Sequence, residues 1–295
     1  MITLRQMRHF LVLAEELNFS RAAQRLAITQ PPLSMSIAML ERHLDVKLFE
    51  RNKRRVELTQ AGKGFLREVR LVLNQTERAC EVARLMEAGH NGYIDIGITG
   101  SMTLRGVPRA VQTFMTENPD VHTTLSEQST SEQIEALLSR RLDVGFVNFA
   151  AVPKGLAGVP LPDEAFVCCL PAGHPLTAKR RIALAELADE SFVMFVRELS
   201  PYNYDNVINS CMEAGFYPNM RFAARQWLTV SALVGAGLGV AMVPSSIASS
   251  GIKGAAFRPL AGLRARSRAW CLRHKDNHDP IVLAFFDALQ RSIAR

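Results

Sequence analysis

The sequence predicts a chain of two parts: an N-terminal all-α head with a winged helix-turn-helix and a long linker helix, and a C-terminal α/β domain. Three observations predict it. Residues 19–58, FSRAAQRLAITQPPLSMSIAMLERHLDVKLFERNKRRVEL, hold two short helical patterns about a turn apart, followed by a basic ribbon. A 4-3-4-3 apolar spacing then runs from Phe65 to Met86. From Tyr93 onward, strand-like runs alternate with amphipathic helical ones.

In the first helix of the pair, Ser20 is a suitable N-cap and Ala22, Ala23 and Leu26 recur at helical spacing. Ala27-Ile28-Thr29 breaks the pattern. Thr29 caps a second helix that takes Pro31 and Pro32 in its first turn, where a missing N–H costs nothing. Leu33, Ile37, Leu40 and Leu44 share one face of it. A tight turn between two such helices predicts a second helix that enters the DNA major groove. The pattern is equally that of two packed helices in an ordinary helical domain, but the ribbon adds to it. Arg51, Lys53, Arg54 and Arg55 lie between Leu48-Phe49 and Val56/Leu58, as in a hairpin that meets phosphates. On the second helix, Gln30 can pair bidentately with adenine, Ser34 can reach phosphate or base, and Pro32 and Met35 can touch a thymine methyl. With Ser20, Arg21, Pro31, Arg51, Lys53 and Arg54 they make up the expected DNA-contacting set. SMSIAML brings few donors, so DNA shape, the wing and half-site spacing are expected to carry much of the specificity.

Charge agrees. The net charge is +7, with 15 Lys/Arg against 10 Asp/Glu in residues 1–90 and 20 against 18 in the rest, so the excess sits on the head. No run of eighteen apolar residues is present, and MITLRQMRHF leads into a helix without a signal-peptide core. The five cysteines, an odd number with no C-x-x-C pair, fit a reduced cytoplasm.

Thr59 caps the long helix, which extends to about Glu87. Phe65, Val69, Val72, Thr76, Ala79, Ala83 and Met86 form a heptad-like seam. One chain buries such a helix poorly, so dimerisation is expected, placing two heads on two half-sites. Packing on its own domain is the alternative. Gly89-His90-Asn91-Gly92 comes next as a hinge. Strands are then expected at YIDIGIT, VHTTLSE, LDVGFV, FVCCLPAGHPL, SFVMF, GVAMVP and AWCLRHK. Helices are expected at LRGVPRAVQTFMTENP, SEQIEALLSR, IALAELAD, near Tyr204–Gly215, after Gln226-Trp227, and at PIVLAFFDALQRSI. The alternation predicts parallel sheets.

Residues 4–66 resemble the winged helix-turn-helix of LysR-type transcriptional regulators. The matching residues are Leu4, Phe10, Ala14, Phe19, Ser20, Ala22, Ala23, Leu26, Gln30, Pro31, Leu33, Ser34, Ile37, Leu40, Glu41, Leu44, Leu48, Phe49, Arg51, Leu58, Thr59, Ala61 and Gly62. The later pattern, ALVGAGLGVAMVP above all, extends the resemblance to the whole chain. It implies a two-lobed effector domain like periplasmic binding proteins, with two crossovers and a ligand between the lobes. The expected division is a DNA-binding domain at 1–58, a linker helix at 59–88, a hinge at 89–92, lobe I at 93–162 and 267–295, and lobe II at 163–266.

Ligands in open α/β sheets bind beyond strand carboxyl ends, near helix N-termini that favour anions. The strand ends give Ser101 and Met102, Ser129 and Thr130, Asn148 and Phe149, then Pro201, Tyr202 and Tyr204 opening a helix, and Gln226 and Trp227 opening another. Each has a structural alternative, as helix cap or lobe packing. The subgroup resembled most controls catabolism of aromatic compounds. There, Ser101 and Thr130 match carboxylate-binding hydroxyls, and Asn148 stands where dicarboxylate binders can carry arginine. A neutral amide in place of a bidentate cation turns the expectation to a mono-anion or a less charged aromatic.

No catalytic or cofactor motif is present. GAGLG at 235–239 follows a helix and precedes a strand, the reverse of dinucleotide order, and no G-x-x-x-x-G-K-[ST] or G-x-S-x-G occurs. His274, Asp276, His278 and Asp279 read as a loop rather than a metal site. The expectation is a DNA-binding, effector-modulated regulator, tetrameric as a dimer of dimers, activating transcription beside RNA polymerase. It has no cofactor, metal or membrane partner. A solute receptor and an enzyme are the competing classes; the head speaks against the first, and no catalytic constellation supports the second.

Overall fold

The computed structural model describes residues 1–52, 55–87 and 89–293. The chain divides into two compact units, Met1–Arg84 with Ser139–Arg141, and Leu85–Leu138 with Leu142–Arg295.

In the first unit, α1 (Leu4–Glu16) opens on a capping box in which Thr3 and Gln6 serve each other's N–H groups. Next come α2 (Phe19–Arg25), α3 (Gln30–Leu44), the hairpin β1 (Phe49–Asn52) and β2 (Arg55–Leu58), and α4 (Gln60–Glu87). Ser20 is not the cap of α2. Asn18, extended and one step outside the helix, accepts the N–H groups of Ser20 and Arg21 at 3.0 and 3.1 Å, leaving Ser20 inside the first turn. Thr29 does occupy the N-cap of α3, though its side chain makes no capping bond. Leu33, Ile37 and Leu40 are fully buried with Phe10, Leu13 and Ala22. Each large side chain among them contributes about 1.5–3 kcal/mol of burial.

Polar groups lock α3 in place. The Glu41 carboxylate is buried and accepts the N–H groups of Leu48 and Phe49 at 3.0 and 3.2 Å and Lys47 Nζ at 3.0 Å, fastening α3 to the wing. His9 Nδ1 and Ser36 Oγ meet at 2.8 Å between α1 and α3, and burial pushes the imidazole below its ordinary pKa, with Arg5 adding to the effect. Thr59 caps α4 by accepting the N–H of Gly62 at 2.9 Å while its hydroxyl donates to the Lys47 carbonyl at 2.7 Å. Gly62 is required by close approach: a Cβ there would lie 2.1 Å from the Leu48 carbonyl oxygen.

The seam of α4 is divided. Phe65 and Val69, joined by Leu73, pack into the core of their own unit, whereas Val72, Ala79, Ala83 and Met86 are exposed. The expected reading of one continuous dimerisation stripe is therefore corrected for its first turns.

The second unit comprises β3 (Gly92–Ile98), α5 (Val107–Glu117), β4 (Val121–Glu127), α6 (Thr130–Leu138), β5 (Val144–Asn148), β6 (Leu156–Pro171), β7 (Ile182–Ala183), β8 (Ser191–Phe195), α7 (Pro201–Glu213), β9 (Asn219–Ala224), α8 (Trp227–Gly235), β10 (Ala241–Pro244), β11 (Ala255–Ala261), β12 (Arg266–His274) and α9 (Pro280–Ile293). Eight strands join one sheet in the order β4-β3-β5-β12-β6-β11-β7, with β10 also on β6; β8 and β9 form a second, parallel pair. The sheet is mixed rather than parallel. β3 runs parallel to β4 and β5, but β12 is antiparallel to β5 and β6, and β10 and β11 are antiparallel to β6.

The cause of the mixing is β6, a sixteen-residue strand that changes partners. Residues 156–165 pair with β12, and residues 166–171 with β10 and β11. One apolar core, around Phe114, Phe146 and Phe285, packs beneath the first half; another, around Phe192, Val230 and Met242, beneath the second. These are the two lobes. The helix expected at IALAELAD is absent. Ile182–Ala183 is a short strand, and Leu184–Leu187 a 3₁₀ turn closed by Glu186, whose carboxylate accepts the Ala183 N–H at 2.8 Å.

Candidate functional site

Packing orients the second helix of the head. With Leu33, Ile37 and Leu40 inward, α3 exposes Gln30, Pro31, Pro32, Met35, Ala38, Met39 and Arg42, and half-buries Ser34. Met35 is 65% exposed, unusual for so apolar a side chain. Ser20 Oγ donates to Gln30 Oε1 at 3.3 Å, so the Gln30 amide is oriented with its NH₂ outward. Arg21 is exposed, but its guanidinium is tied back to Glu16, with Nη2 donating to the carbonyl at 2.6 Å. Arg51 falls in β1 opposite Val56. Lys53 and Arg54 lie outside the described residues. Arg42, two turns beyond Met35 on the same face, is a basic residue that sequence reasoning passed over; the helical period was the available signal.

In the second unit a cavity of about 270 Å³ opens between the lobes. It gathers Ser101, Ser129, Thr130, Asn148, Gln226 and Trp227 from the expected set, together with Thr99, Glu127, Glu132, Phe195, Ser200 and Arg225. Thr99 and Ser200 adjoin the expected strand end and helix start, and the missed Glu127 and Phe195 follow the same rule, ending β4 and β8. The other expected residues lie elsewhere. Met102 is fully buried in the lobe I core. Phe149 packs beside Val147 and Leu272, and its carbonyl accepts from Trp270 Nε1. Tyr202 donates to the Arg266 carbonyl at 2.9 Å, Tyr204 turns to Met220, and Pro201 starts α7.

Hydroxyls and helix ends dominate the floor. Thr130 Oγ1 accepts the Asn148 N–H at 3.3 Å and keeps its own proton to donate; Thr99 and Ser101 hydroxyls lie 3.2 Å apart. Asn148 Nδ2 donates to the Arg268 carbonyl and to Ser267 Oγ, both at 3.3 Å. The carbonyl fixes the orientation of the amide, so its donors face away from any anion. Ser200 and Gln226 stand at the N-caps of α7 and α8, yet neither side chain caps its helix. Ser200 Oγ is buried without a partner among the described residues. Gln226 Nε2 instead donates to Glu127 across the cleft, where Ser131 Oγ also bridges to the Glu198 carbonyl at 2.8 Å. The first turns of α7 and α8 thus keep N–H groups and positive dipole ends without a side-chain cap. On one wall Phe195 and Trp227 stack at 4.8 Å. At the mouth, hydrogen bonding from Ser129 sets Glu132 below the usual carboxylate range, with Arg225 helping.

Such a site sits on no catalytic constellation. The buried thiols are unreactive: burial pushes Cys211 and Cys169 up to about 12 and raises Cys168 and Cys271 as well. Among the described residues, no group of three or more His, Cys, Asp or Glu is placed to hold a metal ion, and no helix is long and apolar enough to cross a membrane.

A helix-turn-helix head joined to a two-lobed domain with a polar cleft defines a DNA-binding regulator that carries its own small-molecule domain. Comparison with known proteins agrees. Residues 4–63 match the model of the bacterial regulatory helix-turn-helix protein, lysR family, and residues 87–294 that of the LysR substrate binding domain. The regulator AlsR of Bacillus subtilis is 36% identical over 96% of this chain and 93% of its own length; ClcR of Pseudomonas putida is 31% identical over 97% of each. The crystal structure of full-length CbnR complexed with its target DNA superposes with a TM-score of 0.71 at 29% identity, covering 98% of this chain and 99% of that one. The chain belongs to the LysR family of transcriptional regulators.

Proposed function

We propose that this regulator responds to a small mono-anionic effector, with an apolar or aromatic part, bound in the cavity between the two lobes. The observation that carries the reading is the pair of helix N-termini, α7 and α8, left without side-chain caps at a cavity floored by hydroxyls. Ser101, Ser129, Thr130 and Ser200 supply donors, and the Phe195–Trp227 pair a flat apolar wall. A doubly charged ligand fits worse, because Asn148 spends its donors on the Arg268 carbonyl and Ser267 Oγ and the mouth holds two carboxylates against one guanidinium.

The head reads DNA through Gln30, Pro31, Pro32, Ser34 and Met35, with Ser20 positioning Gln30, and through the wing at Arg51, Lys53 and Arg54. The exposed part of the α4 seam, Val72 to Met86, pairs two copies, and pairs assemble as a dimer of dimers in the cytoplasm. Residues 89–92 act as the hinge between the head with its linker (1–58 and 59–88) and the lobes (93–162 with 267–295, and 163–266). Effector binding shifts the population between two assemblies that bend DNA differently, and one of them engages RNA polymerase to activate a neighbouring gene.

The test is a footprint on the DNA upstream of the protein's own gene, with and without a panel of aromatic and aliphatic monocarboxylates. A long protected region that shortens or shifts with one compound supports the reading. Protection that no monocarboxylate alters, while a dicarboxylate does, refutes it.

A further inference from the structure

The mouth of the cavity holds a charge that a simple anion leaves unanswered. Glu132 is satisfied within its own helix turn by Ser129, with Arg225 nearby. Glu127, at the end of β4, accepts the neutral amide of Gln226 from the opposite lobe. Its carboxylate and that amide hang over Gly100, on the cavity wall. A Cβ on Gly100 would lie 2.7 Å from Glu127 Oε1 and 2.4 Å from Gln226 Oε1, so the glycine leaves room for the pair to lie across the cleft. Donors line the same cavity: Ser200 Oγ, buried and unpartnered among the described residues, and the uncapped starts of α7 and α8, the second opening at Gln226 itself. One cavity therefore holds uncommitted donors and, beside them, a carboxylate that meets a neutral amide where a cation would bind more strongly.

We propose that the ligand of this cavity is a zwitterion, an amino acid or close analogue, whose carboxylate lies at the hydroxyls and helix N-termini and whose ammonium displaces the Gln226 amide from Glu127. The assignment rests on the proposed reading of the cavity as an anion site and adds the second, opposite charge. An ammonium–carboxylate contact is a charge-assisted hydrogen bond where Gln226 offers a neutral one, so the exchange favours the bound ligand. Residues from both lobes meet the ligand, Glu127 from lobe I and the α7 and α8 starts from lobe II, so occupancy draws on each.

The experiment is isothermal titration calorimetry on the full chain with the common α-amino acids. Each one that binds is compared with its desamino carboxylate and with its decarboxylated amine, in the wild type and in Glu127→Gln. Glu127 is exposed, so the variant is expected to fold as the wild type does. The expected result is an amino acid that binds about tenfold or more tightly than either truncated analogue, with the advantage over the desamino carboxylate lost in Glu127→Gln. Desamino carboxylates that bind as well as the amino acids overturn the zwitterion and leave the mono-anion reading standing. A preference that survives Glu127→Gln overturns the role of Glu127. Binding by none of the amino acids overturns the zwitterion, and the monocarboxylate footprint then decides the mono-anion reading separately.

Discussion

The head and the cavity use their polar side chains in opposite ways. In the head, Glu41, His9, Ser36 and Thr59 are spent on holding α3 and the wing in place, and the exposed face of α3, proposed above to read DNA, carries Met35, Ala38, Met39 and two prolines beside Gln30 and Arg42. In the cavity, Ser200 and Gln226, which stand where side chains ordinarily cap helices, leave that task undone, and the proposed ligand would take the helix ends. A long polyanion is met by a rigid surface of shape, backed by basic residues. The proposed effector would be met by groups whose structural duties are suspended. The lesson is that a polar residue's part in function is read from what it declines to bond.

The largest effect should come from breaking the head's internal clamp. Glu41→Leu removes the acceptor for two backbone N–H groups and should cost about 2–3 kcal/mol. Differential scanning calorimetry should show the head's transition lowered and that of the C-terminal domain unchanged; a joint shift would contradict the division of labour. Next, Gln30→Ala should lose about 1–2 kcal/mol against one base pair in each half-site, whereas Arg51→Ala should weaken all sequences about equally. Binding to a mutated-operator panel separates the two, and uniform loss for Gln30→Ala would sink its reading role.

The comparison is sharpened by restoring a cap. Gln226→Ser should stabilise the C-terminal domain by about 0.5–1 kcal/mol through α8, and weaken binding of a monocarboxylate without an ammonium by occupying the N–H groups its carboxylate uses. A denaturant melt paired with titration checks both signs, and stability gained without affinity lost would argue against the helix-end site. The smallest effect is a pH dependence. Burial lowers the His9 pKa, so the unfolded chain takes up its proton first, and stability is lost as pH falls below the ordinary imidazole value toward the lowered one. Melts at about pH 7.5 and 5.5 should show a difference that His9→Gln reduces.

Much of this was legible in the sequence because local rules agreed with tertiary ones. The inward face of α3, the Thr59 cap and the strand ends carrying Ser101, Thr130 and Asn148 follow from period and position alone. Other features depend on partners far along the chain. The expected strand begins only at Phe166, yet β6 starts at Leu156 and runs through Pro160 and Pro162, because β12 supplies the pairing. β9 is mostly exposed and lacks the apolar alternation that would announce it. Tyr202 and Tyr204 sit at the right helix start but face Arg266 and Met220, a choice made by rotamer and packing rather than by spacing. The exposed half of the α4 seam could be told from the buried half only once Val69 and Leu73 were seen against Phe10 and its neighbours.

At about 3.3 Å per residue, β6 is a beam roughly 50 Å long. Both lobes are hung on it, and the handover at Ala165–Phe166 has no linker in which slack can gather. Sliding one lobe past the other would slip a register and turn side chains to the wrong face. The motion left to the lobes is a change of twist along a shared axle. Under the reading proposed above, a ligand at one side of that axle would act on the two lobes as torque, with the strand as a torsion spring whose stiffness sets how much of the binding energy leaves the cavity as rotation.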